Sequence, residues 1–243
     1  MGGREEAGAC PDCGVENAAD HNYCKHCGTA LGLGEGGELK PSFAERMRDR
    51  CLELLKGQPD NPRPHFDLGL AYYHLGQTGN ATRAFERCLQ LEDAYPAAHF
   101  QLAMCHYRRG AMAECASLAR QAIELNPMSA PAHFRLAISL FHLGRLDDSA
   151  RAFERTVEVD PEYIIALYHL GLIRERQKSI EAAIKCFERV VEANPGDASA
   201  HYHLGLCYEH NGLDGLAITE LSRALQLDPS DTAASSALQE LQR

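Results

Sequence analysis

The hydrophobic pattern of this chain repeats on a fixed period. Leu68, Leu102, Leu136, Leu170 and Leu204 lie 34 residues apart without a slip. Each sits in a version of one phrase: HFDLGLAYYHLG, HFQLAMCHYRRG, HFRLAISLFHLG, LYHLGLIRERQK and HYHLGLCYEHNG. A constant period near 34 with this content predicts a stacked array of helix pairs, each unit burying its apolar face on its neighbours.

Numbering each unit so that this leucine is the seventh residue, the five begin at Pro62, Pro96, Ala130, Ile164 and Ala198. The eighth position is small in every unit (Gly69, Ala103, Ala137, Gly171, Gly205), as is the twentieth (Ala81, Cys115, Ser149, Ala183, Ala217). Small residues at both positions let two helices approach closely. A bulky residue follows at the twenty-fourth position, Phe85, Phe153, Phe187 and Leu221, with Ala119 the exception. Gly76, Gly110, Gly144 and Gly212 fall where the first helix must turn, and Lys178 stands there in the fourth unit. Glycine suits that cap because it takes a left-handed backbone freely. Pro127, Pro161, Pro195 and Pro229 follow the second helices, where proline stops propagation; in the second unit Asp93 stands there and Pro96 follows shortly.

These features resemble the tetratricopeptide repeat (TPR) family, over units at 62–95, 96–129, 130–163, 164–197 and 198–231. The resemblance implies an all-α, right-handed helical-repeat solenoid of about five and a half units. A partial-repeat helix is predicted over 42–58 and a more polar capping helix over 232–243, since solenoids need covered ends.

A different composition precedes the array. Cys10-Pro-Asp-Cys13-Gly and Cys24-Lys-His-Cys27-Gly place two C-x-x-C pairs ten residues apart, each followed by a glycine that permits a left-handed knuckle turn. Four thiolates at that spacing fill the tetrahedral sphere of one Zn²⁺, with no position left for water, so the metal is expected to be structural. The stretch 8–31 resembles the short zinc ribbons, with Cys10, Cys13, Cys24 and Cys27 as ligands. So short a segment with few apolar residues needs such a staple to fold. Residues 32–41, rich in glycine, read as a flexible linker.

Charge and the remaining cysteines narrow the class. The 243-residue chain carries a net charge of −10, and residues 1–40 alone have three basic against seven acidic side chains. Phosphate neutralisation needs a basic surface, so nucleic acid is a poor partner. No apolar run is long enough to cross a bilayer, and the first residues lack the apolar segment of a signal peptide. The other six cysteines, Cys51, Cys88, Cys105, Cys115, Cys186 and Cys207, are scattered through the repeats as small apolar fillers. Together with a paired-cysteine metal motif, that pattern points to a reducing, cytoplasmic setting.

No catalytic constellation is present: neither G-x-S-x-G, H-E-x-x-H, a phosphate-binding G-x-x-x-x-G-K nor a dinucleotide fingerprint. The twelve histidines owe much to the repeat, since His65, His99, His133 and His201 all hold the fourth position. Binding is the function that remains. The resemblance implies a concave groove lined by the first helices. Its fifth positions are Phe66, Phe100, Phe134, Tyr168 and Tyr202, and its ninth are Leu70, Met104, Ile138, Leu172 and Leu206. Tyr73, Tyr107 and Phe141 hold the twelfth position, followed by Glu175 and Glu209; His74, Arg108, His142, Arg176 and His210 hold the thirteenth. An aromatic–aliphatic ribbon flanked by cationic and titratable groups suits a protein partner, an extended peptide or helix carrying carboxylates among apolar side chains. A second copy of the chain is another candidate occupant. The asparagines and lysines of the clamp that grips chaperone carboxylates are missing. The expected function is thus a non-catalytic interaction scaffold with the ribbon as a second docking module. The alternative is a regulator of transcription or translation whose ribbon touches nucleic acid.

Overall fold

The computed structural model describes residues 8–9, 16–17 and 41–242. The expected zinc ligands Cys10, Cys13, Cys24 and Cys27 and the glycine-rich linker up to Lys40 lie outside them. Two short strands, β1 (Gly8–Ala9) and β2 (Glu16–Asn17), pair antiparallel with Gly8 opposite Asn17. The chain divides into two compact units, Met1–Asp93 and Ala94–Arg243.

In the first unit, α1 (Phe43–Gly57), α2 (Pro62–His74) and α3 (Thr78–Leu91) pack in sequence. Ser42 opens α1 with a capping box: the Glu45 amide donates to its Oγ at 3.2 Å, and its own amide donates to the Glu45 carboxylate at 2.6 Å. Two backbone donors that a helix end would leave unpaired are thereby satisfied. Cys51, Leu68 and Ala84 form the buried centre, flanked by Met47, Leu55 and Tyr72. The α2–α3 pair is also held at close range. A Cβ added at Gly69 would lie 2.5 Å from the wholly buried Phe85 ring, so any other residue there would force the ring to move. Burying a phenylalanine contributes roughly 1.5–3 kcal/mol.

The second unit repeats the scheme four times and adds a cap. Its helices are α4 (Pro96–Arg108), α5 (Met112–Leu125), α6 (Ala130–His142), α7 (Leu146–Val159), α8 (Ile164–Arg176), α9 (Ile180–Ala193), α10 (Ala198–His210), α11 (Asp214–Leu227) and α12 (Thr232–Leu241). Each packs on the next, and alternate first helices also touch, α4 on α6 and α8 on α10. Phe153, Phe187 and Leu221 are wholly buried at the twenty-fourth position, against Ala137, Gly171 and Gly205. Ser149 at the twentieth donates its hydroxyl to the Ala137 carbonyl at 2.8 Å, which shows how near the paired backbones come.

The turns follow from the residues at the cap. Gly110, Gly144 and Gly212 have φ of 74–76° or 72°, and Lys178 takes the same region at φ 58°. The next amide then reaches back five residues to a helix carbonyl, as from Ser179 to Arg174 at 2.8 Å and Arg145 to Leu140 at 2.9 Å. This is the hydrogen-bond pattern that ends a helix on a left-handed residue. At the opposite ends of the repeats, the fourth-position histidines approach the carbonyl of the proline that closes the preceding helix. His133 Nε2 lies 3.0 Å from Pro127 O and His201 Nε2 3.2 Å from Pro195 O, and in the first unit His65 Nε2 lies 2.8 Å from Pro59 O. These side chains serve the repeat junction.

Candidate interaction groove

On the first-helix side of the second unit, α6, α8 and α10 leave a groove of about 670 Å³. Phe141, Leu172 and Ile180 provide its apolar wall; Arg176, Lys178, His203 and His210 bring cationic or titratable groups, and Glu175 the one carboxylate among its lining residues. The His203 ring lies flat on the buried Phe187 ring, with centroids 5.5 Å apart and planes 12° from parallel. Its Nδ1 meets Glu175 Oε2 at 3.0 Å. A second histidine one unit earlier repeats the stack, His169 on Phe153 at 5.4 Å and 10°. Burial, and then the positive field of His142, hold the His169 pKa below the ordinary histidine value.

Arg176 places its guanidinium 6.0 Å from the Phe141 ring centroid, close enough for a cation–π attraction. Lys178 projects from the left-handed turn, a backbone state that costs a side-chain-bearing residue about 1–2 kcal/mol. Its neighbours hold it there. Gln177 donates to Asp147 of α7 at 2.7 Å and accepts from Arg174 at 2.9 Å, while Arg174 also pairs with Glu154. The strained turn is thus pinned from α7, and a cation is presented where the other units carry a glycine.

The sequence-predicted groove residues divide by position. Every thirteenth-position side chain is exposed: His74 in the first unit, then Arg108, His142, Arg176 and His210. Position five is largely occupied with packing. Phe66 is buried against Phe85 at 5.7 Å, Phe134 lies 5.7 Å from Phe153, and Tyr168 5.9 Å from Phe187. Phe100 and Tyr202 are half-buried. Phe100 lines a smaller cleft of about 320 Å³ with Tyr95 and Pro131. At position nine, Leu70, Met104, Leu172 and Leu206 are half-buried, but Ile138 is buried in the core. Tyr73, Tyr107 and Phe141 are half-buried, and Tyr107 accepts the Arg135 guanidinium over its face at 4.2 Å. Only Phe141, Leu172, Arg176 and His210 of the predicted set meet in the 670 Å³ groove. Glu175, Lys178, Ile180 and His203 join them, and the signal for Lys178 was its interruption of the glycine series.

The remaining chemistry is quiet. The six helical cysteines are buried thiols, and burial pushes Cys88 and Cys186 up to about 11 and Cys207 to about 12. Thiols held that far from ionisation are poor nucleophiles. No group of three or more metal-binding side chains lies together among the described residues. None of the described helices is long and apolar enough to cross a membrane.

Comparison with known proteins agrees with the repeat geometry. Residues 134–197 and 170–232 match the tetratricopeptide repeat family model, and residues 74–156 match the family described as anaphase-promoting complex, cyclosome, subunit 3. No curated protein shows significant similarity to the chain. Among solved structures, YrrB, described as a TPR protein with an unusual peptide-binding site, superposes with a TM-score of 0.73 at 17% identity, covering 79% of this chain and 99% of its own. MamA gives 0.64 at 22% identity, covering 71% and 94%. PilF of Pseudomonas aeruginosa gives 0.61 at 17%, covering 80% and 84%. The described array is therefore an all-helical TPR-like solenoid, with recognisable TPR units over 134–232.

Proposed function

We propose that this chain is a non-catalytic scaffold that holds an extended segment of a partner protein in the groove of α6, α8 and α10. The observation that supports it most is the composition of that groove. An apolar wall stands beside Arg176, Lys178 and His210, and a protein surface of that kind suits a segment carrying carboxylates between apolar side chains. YrrB, a structure of the same fold, is described as having a peptide-binding site, which agrees with this use of the architecture. Residues 8–31 would hold one structural Zn²⁺ through Cys10, Cys13, Cys24 and Cys27 and serve as a second docking module.

An array of immobilised peptides that mix Leu, Phe, Asp and Glu, probed with the full chain, tests the groove. The expected result is a subset of bound acidic–apolar peptides whose affinity falls about tenfold or more in Arg176→Glu and Lys178→Glu, because a charge reversal replaces attraction with repulsion. Arg87→Glu, on α3 of the first unit and paired with Asp60, should leave binding intact. Equal binding by all three variants and the wild type would remove the groove from the proposal.

A further inference from the structure

Among the described residues of the first unit, α1 holds the place of a second helix and no described first helix precedes it. In the second unit, α4 packs on α5 and also touches α6, and α8 does the same with α9 and α10. The corresponding place beside α1 and α2 is an open slot of about 580 Å³. Counting back one period from Pro62, residues 28–41 occupy the sequence register of a first helix and its turn. They include Gly28, Gly32, Gly34, Gly36 and Gly37 and end at Pro41, the two residue types least suited to a helix interior.

The slot sets apolar side chains beside charged ones. Phe43 is 72% exposed and Leu54 44% exposed, with Met47 between them on the same side of α1. The α12 end shows the opposite treatment. Leu238 and Leu241 fold against the buried Leu221 and Ala224, and Thr232, Ser236, Gln239 and Glu240 face water. The exposed side of α12 carries no large apolar side chain, whereas α1 exposes Phe43, Leu52 and Leu54 among its charged residues. An exposed apolar strip of this kind marks a contact surface.

Charge defines what would cover it. Arg46, Arg50 and Arg63 surround the slot, against a single Asp67, in a chain whose net charge is −10. Arg63 pairs with Asp67 at 3.1 Å and Arg46 donates to the Pro41 carbonyl, whereas Arg50 makes no ion pair with any described residue. We propose that the slot is a docking site for an amphipathic helix of a partner protein, with its apolar stripe bordered by carboxylates. Met47 occupies the twentieth position, small in all five complete units, and holds the incoming helix toward the far end of the usual 8–10 Å spacing. The chain's own first helices, with Gly or Ala at position eight for close approach, are a poor match for that spacing, and the polar face of α12 is no better. A second copy therefore fits less well than a foreign helix.

The test uses the full chain and a fluorescein-labelled 18-residue amphipathic peptide with a leucine stripe flanked by glutamates, read by anisotropy. Its twin has lysine at every glutamate. The glutamate peptide should bind saturably and the lysine twin should not. Phe43→Ser and Arg50→Glu, both at exposed positions, should each weaken binding about tenfold with helical circular dichroism unchanged, and the same losses should appear in an Arg176→Glu background, where the α6–α8–α10 groove no longer contributes. That last arm separates this site from the α6–α8–α10 groove. Absence of binding, equal binding of both peptides, or sensitivity only to Arg176→Glu would overturn the proposal. So would a dimer in sedimentation that Phe43→Ser dissociates, which would put a second copy in the slot. Binding that appears only in a Leu31→Ser, Leu33→Ser variant would put the chain's own N-terminal segment there and overturn it equally.

Discussion

Gly171 joins the core to the groove, and adding one methyl group to it tests both. A Cβ at this position would lie 2.8, 2.9 and 3.1 Å from three atoms of the Phe187 ring, where ordinary contact begins at 3.4 Å. The ring has nowhere to retreat: it is wholly buried, stacked on His203 and edge-on to Tyr168 at 5.9 Å. Overpacking of this degree costs roughly 1–3 kcal/mol. Replacing a mid-helix glycine with alanine returns about 0.5–1 kcal/mol by restricting the unfolded chain. Gly171→Ala should therefore lose about 1 kcal/mol, and at most about 2.5. Gly215→Ala, in the first turn of α11 with nothing within 4 Å of the new carbon, should gain about 0.5 kcal/mol. Urea unfolding followed by circular dichroism compares the two, at equal slope so that midpoints report stability. A displaced Phe187 also shifts His203, whose Nδ1 is 3.0 Å from Glu175. The Gly171→Ala protein should accordingly show altered His203 proton resonances and weaker binding of the acidic peptides, and Gly215→Ala neither. If Gly171→Ala is as stable as the wild type, the close approach of α8 and α9 is not what selects glycine.

Three further outcomes follow from the same geometry. Lys178→Gly relieves a left-handed turn worth about 1–2 kcal/mol and gives back about 0.5–1 in glycine entropy, so it should raise the urea midpoint slightly while weakening peptide capture; a lower midpoint would show that the turn is not strained. His169 has a pKa held below its unfolded value of 6.5. The unfolded chain thus binds the proton first, and stability should fall as pH drops below 6.5, with the slope reduced in His169→Phe if this group is its source. Iodoacetamide at pH 8 should leave the six helical cysteines of the native protein unmodified and alkylate them after denaturation, and one zinc per chain, released by chelator together with four newly reactive thiols, would support the proposed ribbon; rapid native alkylation of Cys88, Cys186 or Cys207 would contradict their burial.

The fold was legible because the repeat imposes the same constraint five times. The leucine period, the small eighth and twentieth positions and the glycine stops all report one event, two helices meeting at close range, and Gly69 under Phe85 or Ser149 on the Ala137 carbonyl shows it directly. The histidines at position four were also readable as repeat features, although their partner, a proline carbonyl six residues back, is a three-dimensional fact that no periodicity announces. The groove was less legible. Position five points toward the first-helix side yet rests on the ring at position twenty-four, so whether Phe134 or Tyr168 offers a free face depends on how two side chains divide one space. Ile138 and Leu172 occupy the same position, but one is in the core and the other lines the groove. Composition cannot separate them; the neighbours do.

What distinguishes the groove is where the repeat breaks its own rules. Position twelve is aromatic in three units and turns acidic at Glu175; the stop glycine becomes Lys178; position six, Asp67, Gln101 and Arg135 earlier, becomes His169 and His203. All of these changes fall between α8 and α10, and Glu175, Lys178 and His203 line one cavity. A stacked array needs none of them: the glycines at 76, 110, 144 and 212 turn the chain without strain, and an aromatic at position twelve packs well enough elsewhere. Departures that cost stability and converge on one opening are the pattern expected of a binding site, because sequence and fold agree everywhere except where another requirement intervenes. The same reasoning applies at α1, where Met47 interrupts the small residues of position twenty beside an uncovered Phe43. The repeat supplies the frame, and its exceptions locate the contacts.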